Sequence, residues 1–204
     1  MSQKLTYLLA TSDRKEELSD AIRSILRQDY RPFEIVVVSN GSSDGTSELF
    51  ENGGEFDREE IQFFDFDAPL GVARARNFGF RNADGDIVVT VDDDAVFADD
   101  DAGSRIVEAF ERDETVGVLS FTLKNFHTGD VEYPPSSDTR FVPPIVDIPT
   151  PSDLRAWENP IETTFFPGGA NAIRTSVLAE TGLYPPEFEY AGEELDLGYR
   201  VLNA

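Results

Sequence analysis

The stretch Ile87-Val88-Val89-Thr90-Val91-Asp92-Asp93-Asp94 sets an apolar, β-branched run directly against three consecutive carboxylates. Such a run reads as a strand buried on both faces, the pattern of a mostly parallel sheet in an α/β fold. Adjacent carboxylates closing a buried strand repel one another and lose hydration, so they persist where a divalent cation or hydrogen-bond donors balance them. The trio is therefore read as a metal site. A hard cation such as Mg2+ prefers oxygen ligands and is commonly shared with substrate phosphates, which points to a phosphorylated ligand. The plainer alternative is a solvated acidic turn.

Outward from this strand, the first half of the chain alternates strand-like and helix-like segments, as expected for right-handed crossovers on a mostly parallel sheet. Leu5 to Ala10 reads as the first strand. Leu18, Ala21, Ile22, Ile25 and Leu26 recur at helical spacing and predict a helix from about Lys15 to Arg27. Phe33 to Val38, interrupted by one glutamate, is expected to be a central strand, and the turn cluster Asn40 to Thr46 lies at its carboxyl end, where open α/β sheets place ligands. A short helix should follow. Ile61 to Phe66 is the third strand, Val72 to Asn82 a helix, Ala102 to Phe110 carries another helical stripe, and Val116 to Leu123 makes a fifth strand. From Lys124 to Pro160 the periodicity fades and prolines accumulate, predicting an extended surface excursion. Order is expected to return with Thr163 to Ala172, a helix near Thr175 to Thr181, and an acidic helix from about Gly192. The organisation is thus a single domain over residues 1–204. Residues 1–123 form the alternating half, 124–160 an irregular region and 161–204 a second ordered stretch whose helix stops at the chain's end.

Composition narrows the chemistry. Forty Asp plus Glu against 17 Lys plus Arg give a formal net charge of -23, which disfavours nucleic acid and unspecific binding to anionic lipid. At molar salt the Debye length is only about 3 Å, so such a surface suits a very salty cytoplasm. No apolar stretch approaches the roughly 18 to 20 residues that span a bilayer, and the N-terminus has no basic segment before an apolar signal core. The expectation is a soluble, cytoplasmic protein, including at the cytoplasmic face of a membrane. There is no cysteine, hence no disulfide, thiolate nucleophile or Cys-ligated zinc. The single histidine, His127, lies in Asn125 to Gly129, which reads as a hairpin turn rather than an anchored catalytic site. Carboxylates, hydroxyls, arginines and a metal remain.

Several segments, in order, resemble the family 2 glycosyltransferases of the GT-A fold, and the resemblance covers nearly the whole chain. The first is Tyr7 to Arg14, followed by Glu34 to Thr46. The family usually has an acid contacting the base where this chain has Ser39-Asn40; Thr11, Ser12, Arg14 and Asn40 are the positions that the match places at the nucleotide. Gly71-Val72-Ala73-Arg74-Ala75-Arg76-Asn77-Phe78-Gly79 resembles the family's G-x-A-x-A-R-N-x-G helix. An arginine on that helix can form paired charged hydrogen bonds to phosphate, with Arg76 the better candidate and Arg74 on a solvated face. Asp92-Asp93-Asp94 takes the position of the D-x-D motif: Asp92 on the ribose and metal side, Asp93 touching the nucleotide, Asp94 the direct ligand of Mg2+ or Mn2+. Phe166 to Arg174 is similar to the glycine-bearing stretch under the sugar and acceptor, with Gly168, Gly169 and Asn171 as its floor. Tyr190 to Arg200 resembles the E-D-x-D-L-x-x-R segment. It makes Glu194 the base, with Glu193 and Asp196 as neighbouring alternatives; Asp196 can instead pair with Arg200 at i, i+4 spacing.

The resemblance implies metal-dependent, inverting transfer of a sugar from a nucleotide diphosphate sugar to a hydroxyl of a glycan or lipid-linked acceptor, with peripheral membrane association in keeping. Two other readings stand beside it. A sugar nucleotidyltransferase would carry a glycine-rich basic loop after the first strand, and Ala10 to Lys15 has no glycine. A non-catalytic or incomplete sugar-nucleotide-binding module is the other.

Overall fold

The computed structural model describes residues 2–133, 166–188 and 192–203. Its first half has the expected alternation: β1 (Leu5–Thr11), α1 (Lys15–Leu26), β2 (Phe33–Asn40), a 3-10 turn (Thr46–Leu49), β3 (Ile61–Phe66), α2 (Val72–Asn82), β4 (Ile87–Val91) and α3 (Ala102–Arg112). There follow β5 (Val118–Ser120), β6 (Leu123–Lys124), β7 (Val131–Tyr133), β8 (Ala170–Arg174), α4 (Thr175–Thr181) and α5 (Glu193–Leu202). One six-stranded sheet runs β3-β2-β1-β4-β8-β5. Its first four strands are parallel, and β8 is antiparallel to both β4 and β5. The fold is thus α/β with a mostly parallel central sheet flanked by helices.

Side-chain alternation along β1 builds a core on each side of the sheet. Leu5, Tyr7 and Leu9 pack with Ile22 and Ile25 of α1 and Phe110 of α3, whereas Leu8 packs with Ala73, Ala75 and Phe80 of α2 and Leu197 of α5. Because β1 has β2 on one side and β4 on the other, the connections leave it in opposite directions. That switch point opens a crevice at the carboxyl ends of β1 and β4. Thr11 ends β1 there, and the aspartates follow β4.

The fifth strand is shorter than the expected Val116 to Leu123. The carbonyls of Val116 and Gly117 accept from Arg174 Nε and N, at 2.7 and 3.0 Å, so the chain there caps β8 before pairing begins. After Ser120 it leaves the sheet for the β6–β7 hairpin, whose turn is held by Asn125 Oδ1 accepting from the amides of His127 and Thr128 at 2.9 and 3.0 Å. His127 is exposed in that turn, as expected. Residues 134–160 of the proline-rich excursion and 163–165 of the segment after it lie outside the described residues.

Glu34, the acid interrupting β2, sits at the pole of the sheet opposite the crevice. It is 7% exposed and accepts from Lys4 Nζ at 2.8 Å, Thr6 Oγ1 at 2.6 Å and the Asp84 amide at 2.6 Å. Burial pushes its carboxyl up, but these donors outweigh it and hold the group below the usual range. A depressed folded-state pKa stabilises the fold above the unfolded carboxylate value of about 4.3, and that contribution is lost as pH falls through the folded value. Glu34→Gln is therefore expected to destabilise the domain by about 1–3 kcal/mol at neutral pH and to shrink that difference in acid, as measured by urea unfolding across pH.

Candidate active site

The aspartate turn divides by burial. The Asp92 and Asp94 side chains are about half exposed, while Asp93 is buried. Burial pushes the Asp93 carboxyl up, against the opposing pull of the nearby Thr11 hydroxyl and the Arg14 guanidinium. Arg14, at the start of α1, ion-pairs with Asp93 at 3.2 Å and with Asp94 as well. The Asp92 amide donates to Gly169 O at 3.0 Å, which ties the end of β4 to the glycine stretch.

Arg76 organises the other flank. It lies on α2 with its side chain 9% exposed, and Nη2 reaches Asp92 Oδ1 at 2.9 Å. Nη1 reaches Glu194 Oε1 at 3.2 Å and Glu193 Oε1 at 3.7 Å, both in the first turn of α5. One guanidinium thus spans the acid expected on the donor side and the two acids expected on the acceptor side. Its planar fork of fixed donors suits that bridging task better than a lysine point charge. Gly168 and Gly169 exist because this cluster fills the space a side chain would need. A Cβ on Gly168 would fall on Glu194 Oε1 and Arg76 Nη1, and one on Gly169 would fall on the Asp92 carboxylate.

Burial pushes the Glu194 carboxyl up and the Glu193 charge adds to this, with the Arg76 charge opposing. Glu193 is buried, its Oε2 without a hydrogen-bond partner among the described residues. Asn171 is fully buried beneath the glycines; its Nδ2 donates to the Pro167 and Gly168 carbonyls at 2.7 and 3.0 Å, and its Oδ1 has no partner among the described residues. Asn171 therefore shapes the floor from below.

At the ends of β1 and β2, Ser12 is exposed, while the register partners Thr11 and Ser39 are buried, Thr11 beside the Asp93 carboxyl. Asn40 Oδ1 accepts from the Leu70 amide at 2.6 Å, so this amide oxygen pins the loop that enters α2. Gly71 turns that loop with a φ of +85°. Arg74 is exposed, as expected. Asp196 pairs with Arg200 at 2.7 Å, and Arg200 also donates to the carbonyls of Thr181, Gly182 and Leu183. That network latches α5 to α4 and gives Asp196 the i, i+4 pairing expected as its structural role. Tyr190 and Ala191 lie outside the described residues.

Two residues carry roles that sequence reasoning missed. Asn77 grips the backbone of Tyr184, donating through Nδ2 to its carbonyl at 2.7 Å and accepting from its amide at 3.0 Å. Tyr184 places a buried hydroxyl, without a partner among the described residues, in the field of Arg76, Glu194, Glu193 and Asp92, and burial pushes its phenol up. The Asn beside Arg76 was the available signal for the first; nothing local marks the second.

Among the described residues no three metal-ligating side chains converge to hold an ion by themselves. Two half-exposed carboxylates nevertheless fit Mg2+ or Mn2+, which takes one or two protein carboxylates and completes its shell with water and substrate phosphate. Asp92 and Asp94 would hold it.

Known proteins resemble this chain in sequence and in fold. Poly-beta-1,6-N-acetyl-D-glucosamine synthase of Staphylococcus epidermidis is 32% identical over 117 residues, covering 57% of this chain and 27% of that protein. The same synthase from Staphylococcus aureus strain COL is 32% identical over 116 residues, with the same coverage. The chain thus spans about a quarter of the length of the curated relatives it matches. Among solved structures, the mannosyltransferase PcManGT of Pyrobaculum calidifontis, in complex with GDP-Man and Mn2+, superposes with a TM-score of 0.69 at 22% identity, over 96% of this chain and 50% of that one. Residues 1–349 of S. aureus TarS give a TM-score of 0.69 at 19% identity, over 97% and 55%. These two share the fold. The family profile described as glycosyl transferase family 2 matches residues 8–182, and the chain belongs to that family.

Proposed function

We propose that this chain is the catalytic domain of an inverting, metal-dependent glycosyltransferase that moves a sugar from a nucleotide diphosphate sugar to an acceptor hydroxyl. The observation that carries the reading is the bridge Asp92–Arg76–Glu194, which sets a donor-side carboxylate and a partly buried candidate base around one guanidinium in the crevice. Bound with the donor, Mg2+ or Mn2+ would neutralise charge that grows on the departing diphosphate.

The remaining chemistry belongs to the chain's own residues. Glu194 accepts the proton of the acceptor hydroxyl as its oxygen bonds to the anomeric carbon. The bond from that carbon to the diphosphate oxygen breaks, and the nucleoside diphosphate leaves on the opposite face. A carboxyl held above its ordinary range by burial makes a more effective base near neutral pH than an exposed one. Arg76 keeps Glu194 oriented. Gly168 and Gly169 leave the room that this ion-pair cluster occupies, and Glu193 is buried behind it. The related synthases and the S. aureus TarS complex with UDP-GlcNAc support UDP-N-acetylglucosamine as the first donor to test, with GDP-mannose second. A glycan or lipid-linked hydroxyl is the acceptor class, and the cytoplasm, at high salt, is the proposed setting.

Glu194→Gln is expected to lower kcat by about 10²–10⁴-fold while donor affinity stays within a few-fold, read by nucleoside diphosphate release and by thermal shift with donor and Mn2+. Equal turnover in the variant would remove Glu194 from the role of base. Gly169→Ala must displace the Asp92 carboxylate, and a misplacement of about 1 Å costs on the order of 10²-fold in rate. The expected result is a loss of that size in kcat/KM with the folded state retained by circular dichroism.

A further inference from the structure

The expected metal ligands are already engaged. Asp92 pairs with Arg76 at 2.9 Å, and Asp93 and Asp94 both pair with Arg14. An arginine cannot relieve such a contact by losing its proton, so any cation arriving at this turn must displace a guanidinium or share its carboxylate. A cation arriving alone meets two fixed positive charges and leaves both arginines short of an acceptor. The absence of a third converging ligand among the described residues makes that state poorer still. A diphosphate changes the balance, because its oxygens accept the planar forks of the displaced arginines and also complete the cation's shell.

The two arginines are held differently. Arg14 is 47% exposed in its side chain and sits at the start of α1, and among the described residues its guanidinium is tethered only to the aspartate turn. Arg76 is buried and keeps a second arm on Glu194 and Glu193 when the Asp92 contact opens. Arg14 is therefore built to swing and Arg76 to pivot.

We propose that Arg14 and Arg76 are resident counter-cations of the aspartate turn, so that a divalent cation binds tightly only together with a nucleoside diphosphate that takes over their guanidinium groups. The device rests on the reading of Asp92 to Asp94 as a cation and diphosphate site. It makes metal and nucleotide binding mutually dependent, and by linkage each tightens the other by the same factor. It also reports donor occupancy to the base: when Arg76 exchanges Asp92 for phosphate, the arm on Glu194 pivots with it.

The test is Mn2+ titration by electron paramagnetic resonance on the folded chain in high KCl, without nucleotide and with saturating UDP or GDP. The wild type is expected to bind Mn2+ weakly alone and at least about tenfold more tightly with one of the two nucleotides. Arg14→Gln is expected to bind Mn2+ alone several-fold more tightly than the wild type, and the nucleotide's enhancement should be several-fold smaller than in the wild type. Equal Mn2+ affinity with and without nucleotide in a wild type that binds both overturns the proposal while leaving the site intact. Unchanged affinities in Arg14→Gln overturn it too. Failure of the wild type to bind Mn2+ with either nucleotide sinks the site assignment itself, and the proposal with it. Arg14 is the primary probe because its exposure makes folding of the variant secure; Arg76→Gln, where it folds, should show the same direction of change.

Discussion

A buried guanidinium has to be satisfied, and the cleft is arranged around that requirement. Arg76 lies on α2 with its charge drawn out of water, and removing the partner of such a group typically costs about 3–5 kcal/mol. Its partners come from the end of β4 and the start of α5, elements far apart in the chain. Meeting the requirement therefore fixes the distance between the donor-side carboxylate and the proposed base. Gly168 and Gly169 follow from the same demand, since the ion-pair cluster occupies the volume their side chains would take. Asn171 and Asn77 then hold, from beneath, the two backbone segments that close around it.

Much of this was legible in the residues. Continuous apolar runs marked β1, β2 and β4 because strands buried on both faces leave no polar alternation to confuse them. Helical spacing placed α2 at Val72–Asn82, whereas the crevice between β1 and β4 depends on a strand order that sequence order does not reveal. The short β5 and the hairpin were harder, because Val116 and Gly117 look like strand while their carbonyls serve Arg174. Asn40 is a comparable case. A polar residue at a strand's carboxyl end reads as ligand-facing, yet its oxygen pins Leu70 across the neighbouring loop.

What local pattern could not show was pairing over long separations. Arg76 and Glu194 stand 118 positions apart, and neither residue's neighbours announce the other. The engagement of the whole aspartate trio by arginine was equally hidden, since like charges in sequence say only that something must balance them. In this chain the balancing groups are Arg14 and Arg76. Family membership places the chain among the family 2 glycosyl transferases, and the geometry supplies a reason why arginine, cation and phosphate should act as one unit in the proposed reaction.

The most direct test is a crystal structure of this chain grown with Mn2+ and UDP or GDP, with the metal located by its anomalous signal. The account predicts an ion in contact with Asp94 and Asp92, bridged to the diphosphate, with the Arg14 guanidinium moved from Asp94 onto a phosphate oxygen. A diphosphate bound elsewhere, or an aspartate turn still paired to both arginines beside a bound nucleotide, would contradict it.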